Sequence, residues 1–429
     1  MKVLVIGSGG REHAMVWKIA QSPLVDSMWC APGNAGTALE SVQKTGERVQ
    51  NVAIGAEDLE GLLAFAQQNQ PDLTVVGPDN PLALGIVDRF QSAGFRIWGP
   101  NQKAAQFESS KIFSQEFMSR HGIPTAKAAS FADSEGAKAF ARELNGACVV
   151  KADGLALGKG VLICHSVEEA DAAIASILED KAFGSAGDRI LIQELLIGKE
   201  VSLHAFCDGS SYQIFPTSQD HKRALDGDKG LNTGGMGAYS PTPFVSESEL
   251  QSAITQVMDP WLAGCKAEGI DYRGILYPGL MLTADGPKVL EFNSRFGDPE
   301  TQVYLRKLST DLVEIFQASI DGTLSDLNIE WSTDASVCIV IASGGYPEAY
   351  EKGKSISGID SADSFGSVKV FHAGTKTEGD AIVTSGGRVL GVTATGDQLE
   401  QTLSVAYEAT KKIHFDGAYF RSDIGAQAI

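Results

Sequence analysis

Short apolar runs alternate with amphipathic stretches through the first hundred residues. The runs at 2–6, 27–31, 73–76 and 96–98 predict buried strands, and helical periodicity at 11–21, 56–68 and 84–93 predicts helices between them. Alternation of this kind indicates a parallel sheet with crossover helices, a Rossmann-like α/β unit over residues 1–104. Beyond Gly99-Pro100 a helix is expected at 109–120, and the pattern then changes to strand pairs with glycine-rich turns, at 147–151, 160–164, 190–194 and 201–208. Helices at 247–268 and 311–321 complete a second unit, 105–330, of α+β type. A third, small α+β unit occupies 331–429, with strands at 336–342, 368–373 and 389–394 and an amphipathic helix at 399–413.

Composition narrows the class. The 429 residues are 43% apolar and 21% charged, which is ordinary for a globular protein. With 35 basic against 54 acidic residues the formal charge is −19, which argues against a nucleic-acid binder or docking on anionic lipid. The acid is concentrated in the middle of the chain, where residues 107–330 carry 19 basic and 32 acidic groups. It is expected to cover mostly outer surface, leaving any anion site locally positive. The first apolar run is too short for a signal peptide, and no apolar stretch is long enough to span a membrane. Six scattered cysteines without a C-x-x-C pair suit reduced thiols in the cytoplasm.

Two glycine turns carry chemistry. Gly7-Ser8-Gly9-Gly10 lies between the first strand and helix, where free backbone N–H groups attract anions. A dinucleotide site is disfavoured because Glu12 replaces the third glycine and no acidic residue ends the second strand. A single phosphate aided by Arg11 or by Gly33-Asn34, or a turn that merely packs helix on sheet, both remain open. The run from Lys151 to Val161, with Gly154, Gly158, Lys159 and Gly160, is not a Walker A loop, because a strand follows it. A lysine-terminated strand, a glycine loop and a second strand form a hairpin able to close over a triphosphate, or else a plain surface hairpin.

Further along, 277–283 and 288–292 read as an antiparallel pair around Asp285-Gly286. In an extended chain Glu291, Asn293 and Arg295 share a face. The first two are hard oxygen donors suited to Mg²⁺ shared with phosphates, and the arginine suits a carboxylate or transferring phosphoryl group. A second polar cluster runs through Asp220, His221, Lys222 and Arg223 to Asn232-Thr233-Gly234-Gly235-Met236-Gly237. Its many backbone N–H groups beside basic side chains fit an oxyanion site. His221 reads as a hydrogen-bonded neighbour or substrate contact more readily than as a base.

Together Gly7–His13, Pro32–Thr37, Lys151–Val161, Gln219–Arg223, Asn232–Pro241 and Arg295–Gln302 resemble the ATP-grasp enzymes and, among them, the phosphoribosylamine–glycine ligase family. The resemblance covers essentially the whole chain. It implies a central ATP-grasp domain with a mobile lid at about 123–192. The implied activity is an ATP-dependent ligase joining glycine to 5-phosphoribosylamine through glycyl phosphate. Lys111 and Lys151 would reach the ATP phosphates beneath the loop from Gly154 to Gly160. The backbone of Glu194 and Leu196 would meet the adenine, with Glu200 on the ribose. Glu291 and Asn293 would bind Mg²⁺ or Mn²⁺, and Arg295 would lie beside the acyl phosphate. Gly9, Gly10, Arg11, Gly33, Asn34, His221, Lys222, the loop from Thr233 to Gly237, Arg295 and Asp298 would help seat the phosphosugar. The base for the amine stays open between Asp220, Asp298 and substrate phosphate. Leu231, Leu157 and Gln193 depart from the family pattern, and none is a proposed catalytic group. The resemblance also implies small-molecule substrates and a monomer. An ATP-grasp ligase with another acceptor, a nucleotide-binding oxidoreductase and a non-catalytic ATP sensor are the alternatives.

Overall fold

The computed structural model describes residues 1–155 and 160–429, the side chain of Ser185 excepted. The first alternation folds into a five-stranded parallel sheet ordered Gln50–Asn51, Ser27–Pro32, Lys2–Gly7, Leu73–Val76, Ile97–Trp98. Strand order reverses at Lys2–Gly7, so a crevice opens beyond the carboxyl ends of the central strands, where Arg11 and Asp79 emerge. The expected helix 84–93 is observed as Ile86–Ser92, entered through Gly85 with φ +84°, and an additional short helix, Asp79–Ala83, precedes it. Serine divides another region into Gln102–Ser109 and Lys111–Arg120, because the Ser110 hydroxyl caps the second helix by accepting from Phe113 N–H.

Two antiparallel sheets face each other in the centre of the chain. One is ordered Ala128–Phe131, Ile190–Glu194, Cys148–Ala152, Val161–Cys164 and has its own small core around Val150, Ile174 and Ile192. The other is built on the long strand Arg273–Thr283, flanked by Lys199–Ser202, Ala205–Asp208 and Gly286–Asn293. The single strand expected at 201–208 is therefore two strands. Both halves pair in one continuous register with the same neighbour, and between them Leu203 N–H bonds Pro278 O at 3.2 Å while His204 O accepts from Phe215 N–H.

A fourth sheet is ordered Gln219–Asp220, Gly237–Ser240, Ala335–Ala342, Arg388–Gly396, Val368–His372. Two of its strands come from the central segment, so hydrogen bonding continues across the boundary expected at residue 330. Every residue of Ala335–Ala342 is buried, as befits the central strand of a covered sheet. A shared core packs the first sheet against Leu312–Asp321, with the Trp98 ring 4.1 Å from Phe316 and its Nε1 donating to Ser319 Oγ at 3.0 Å. These joints bring the ends of all four sheets to one cleft.

Candidate active site

The cleft has a volume of about 790 Å³ and is lined from all four sheets. Eight basic and nine acidic side chains face it, so the expectation of a locally positive site is corrected. The acids sit there because buried cations need partners, and Glu291, Glu300 and Asp220 are interleaved with Lys151, Lys222 and Arg295.

At the nucleotide end, Lys111 opens its helix and donates to Gly154 O at 3.2 Å. Lys151, on Cys148–Ala152, donates to Leu290 O at 2.8 Å. That carbonyl is available because a bulge adds Leu290 to its strand, so that Leu290 and Glu291 both face the cleft. Burial lowers the Lys151 pKa to about 8, opposed by Glu291 and reinforced by Lys111. Glu194, Leu196 and Glu200 line the same end. The Glu194 N–H is spent on Lys127 O at 2.9 Å, which leaves Leu196 N–H as the backbone donor without a partner among the described residues. Gly154 and Gly160 flank the hairpin mouth without lining the cleft, and the expectations for Gly158 and Lys159 fall outside the described residues.

Glu291 and Asn293 do share a face with Arg295, as the strand alternation predicted. Burial opposes the charge of Glu291, yet Lys151, Lys222, Lys111 and Arg295 together hold its pKa below the usual carboxylate value. Its carboxylate has no hydrogen-bond partner among the described residues, and Asn293 Oδ1 holds only a 3.3 Å contact from Arg295 Nη2. Two hard, available oxygens beside a phosphate-sized space fit a divalent cation that takes its other ligands from nucleotide and water. No cluster of three or more His, Cys, Asp or Glu residues able to hold a metal alone exists among the described residues.

Arg295 is held by Glu108 at 2.9 Å and by Phe296 O at 3.2 Å, and its buried Nε has no partner among the described residues. Burial raises the pKa of Glu108 despite this pairing. Asp220 lies 3.3 Å from Lys222 Nζ through Oδ2, and its Oδ1 is buried and unpaired. Burial raises the Asp220 pKa to about 7, with Lys222 opposing and Glu300 adding to the shift. Asp298 stays below the ordinary value: burial opposes its charge, and Arg388 and Arg11 outweigh it. Thr233 and Gly234 line the cleft, whereas Gly235, Met236 and Gly237 lie behind them. Gly235 adopts φ +115°, and a Cβ there would lie 2.6 Å from both Asp220 Oδ1 and Pro299 Cδ.

Several expected substrate contacts already have partners within the chain. Glu12 occupies the N-terminal turn, its carboxylate accepting from Gly9 N–H at 2.6 Å at the start of the first helix. Arg11 is drawn to Glu12 at 2.6 Å and to Phe296 O at 3.1 Å, yet its side chain still borders the cleft. Gly9, Gly10, Gly33 and Asn34 do not. Asn34 instead ties loops together, donating to Ser8 O and His372 O and accepting from Gly36 and Thr37 N–H. His221 lines the cleft, but burial lowers its pKa to about 4 and its ring nitrogens meet Gly237 O and Gly425 N–H, each at 3.3 Å.

Sequence reasoning missed Asp79, Glu108, Glu300, Tyr346 and Arg388, all of which line the cleft. Asp79 follows a strand in Gly77-Pro78-Asp79, a turn signal that could have found it. Arg388 follows Gly386-Gly387 at the start of a strand, a weaker sign.

Comparison with known proteins agrees with this architecture. Residues 1–108 match the N domain of phosphoribosylglycinamide synthetase, 109–301 its ATP-grasp (A) domain, and 336–427 its C domain. A Vibrio cholerae protein named phosphoribosylamine–glycine ligase is 51% identical over 100% of this chain and 99% of its own length. The crystal structure of a Thermotoga maritima phosphoribosylamine–glycine ligase superposes with a TM-score of 0.84 at 33% identity, covering 99% of this chain and 100% of that one. The biotin carboxylase domain of a Hydrogenobacter thermophilus 2-oxoglutarate carboxylase, solved with MgADP and bicarbonate, shares the fold at TM-score 0.72 and 18% identity, over 98% of this chain and 91% of that one. With three domain matches in order and a half-identical relative along its full length, the chain belongs to the phosphoribosylglycinamide synthetase family.

Proposed function

We propose that the chain is an ATP-dependent ligase of purine biosynthesis, joining glycine to 5-phosphoribosylamine to give glycinamide ribonucleotide, ADP and phosphate. The observation that carries the reading is the unpartnered Glu291 carboxylate beside Asn293, facing the same cleft as Lys151 and Arg295, on a chain of this family.

A glycine carboxylate oxygen attacks the γ-phosphorus, and the bond to the β-phosphate oxygen breaks to release ADP. The phosphoribosylamine nitrogen then attacks the carbonyl carbon of glycyl phosphate, and phosphate leaves with the former carboxylate oxygen. Lys111 and Lys151 bind the nucleotide phosphates, and the Leu196 N–H is positioned for the adenine edge. Glu291 and Asn293 are the ligands for Mg²⁺ or Mn²⁺, which when bound supplies charge neutralisation for the transferring group. Arg295, with its free Nε, orients the glycine carboxylate and stabilises the acyl phosphate. Asp220, titrating near neutrality, takes the proton released by the attacking amine. The sheet carrying Cys148–Ala152 and Val161–Cys164 closes over the nucleotide and keeps water from the acyl phosphate.

Six free, buried cysteines support a reducing, cytoplasmic setting. The test is ADP release by the purified protein with glycine and phosphoribosylamine, set against bicarbonate or D-alanine in place of glycine. Strict glycine dependence, with full turnover only when phosphoribosylamine is present, is expected. Equal release with either replacement would refute the substrate assignment.

A further inference from the structure

Among the C-terminal residues that line the cleft and that the mechanism above does not use are Arg388 and Tyr346. Arg388 opens the strand Arg388–Gly396, and its Nη1 donates to Gly234 O at 2.8 Å, Gly235 O at 3.2 Å and Asp298 O at 2.7 Å. Its Nη2 donates to Asp298 Oδ2 at 3.0 Å. Tyr346 completes the grip, because its hydroxyl accepts from Gly234 N–H at 3.1 Å. The peptide groups around Gly234 are therefore held through both carbonyl and N–H, by two side chains far along the chain. The segments they join are the glycine loop 233–235 and the turn at Asp298-Pro299, which already touch where Gly235 packs on Pro299 and on Asp220 Oδ1.

A guanidinium bonded to three backbone carbonyls and a carboxylate fixes positions and carries no reacting atom. Among the described residues, none of the groups it fixes is hydrogen-bonded to Lys111 or Lys151, which bond Gly154 O and Leu290 O instead. Resting on the ligase reading, we infer that Arg388, aided by Tyr346, is a positioning residue specific to the amine substrate. It holds the 233–235 loop and Asp298 as one surface for phosphoribosylamine and leaves the nucleotide end untouched. The C-terminal segment is thus part of the acceptor site and does more than cover the sheet.

The test measures steady-state kinetics for the wild type, Arg388→Met, Arg388→Lys and Tyr346→Phe, with KM determined separately for ATP, glycine and phosphoribosylamine. Loss of a charged multidentate contact predicts that Arg388→Met raises KM for phosphoribosylamine about tenfold or more. The KM values for ATP and glycine should move less than about twofold. Arg388→Lys should recover part of the loss, since one ammonium can reach some of the carbonyls. Tyr346→Phe removes one hydrogen bond and should raise the same KM by a smaller factor, which keeps the test alive if Arg388→Met fails to fold. An unchanged KM for phosphoribosylamine in both Arg388→Met and Tyr346→Phe overturns the inference. So does an equal rise in all three KM values. A wild type that forms no glycinamide ribonucleotide refutes the ligase reading itself, an outcome distinct from either of these.

Discussion

Asp220 offers a prediction whose size follows from its surroundings. Its carboxyl titrates at 3.8 in an ordinary setting and at about 7 in the fold, chiefly through burial. Between those values the folded chain binds more protons than the unfolded one, so the stability this group contributes is lost as pH rises through that window. At about 1.4 kcal/mol per pH unit, the loss reaches about 4 kcal/mol above the folded pKa and is about 2 kcal/mol at pH 5. Asp220→Asn keeps the shape and removes the titration. Lys222 keeps its charge without the partner, because 40% of its side chain reaches solvent. Urea unfolding of both proteins at pH 5 and pH 8.5 should show the variant gaining about 2–3 kcal/mol on the wild type between the two conditions. In the active enzyme the same variant should lose the rate limb near pH 7 and turn over slowly at every pH. A stability difference that does not change with pH would refute the raised pKa, and with it the poised carboxylate assigned to the amine's proton.

Glu291→Gln should lower kcat about 100-fold or more while far-UV circular dichroism stays native, since it removes the charged metal ligand; near-normal turnover would refute the metal assignment. Lys151 is held near pKa 8 in the open cleft, so ATP binding at about pH 8.5 should take up a proton as phosphate restores its charge. Calorimetry in buffers of different ionisation enthalpy would detect that uptake, which Lys151→Met should abolish. ATP affinity should also fall as pH rises above about 8. Asn34→Ala breaks the ties from Ser8, Gly36, Thr37 and His372 and should cost about 2–3 kcal/mol of stability, read as a lower urea midpoint.

The parts legible in the sequence are those that depend on local pattern. Alternating runs revealed the parallel sheet, and strand alternation alone put Glu291, Asn293 and Arg295 on one face. What escaped depends on contacts between distant segments. The bulge that exposes Leu290 O to Lys151 exists only against the partner strand, so nothing in 288–293 announces it. Arg388 reaches Asp298 across two sheets, and no spacing rule connects them. Glu12 was visible as a break in the dinucleotide pattern. Its position in the first turn, three residues after Gly9, lets its carboxylate reach back to the free Gly9 N–H, which explains why the turn holds the protein's own carboxylate. Gln219–Asp220 and Gly237–Ser240 resembled a loop because a sheet formed with residues beyond 330 leaves only short strands there.

The central claim is that glycine is activated as an acyl phosphate in this cleft. Glycine labelled with ¹⁸O in its carboxylate, incubated with ATP, phosphoribosylamine and the enzyme, tests it directly by mass spectrometry of the phosphate formed. Each phosphate should carry one labelled oxygen, because the carbon–oxygen bond breaks when the amine attacks. Phosphate free of label, with glycinamide ribonucleotide still produced, would contradict the mechanism.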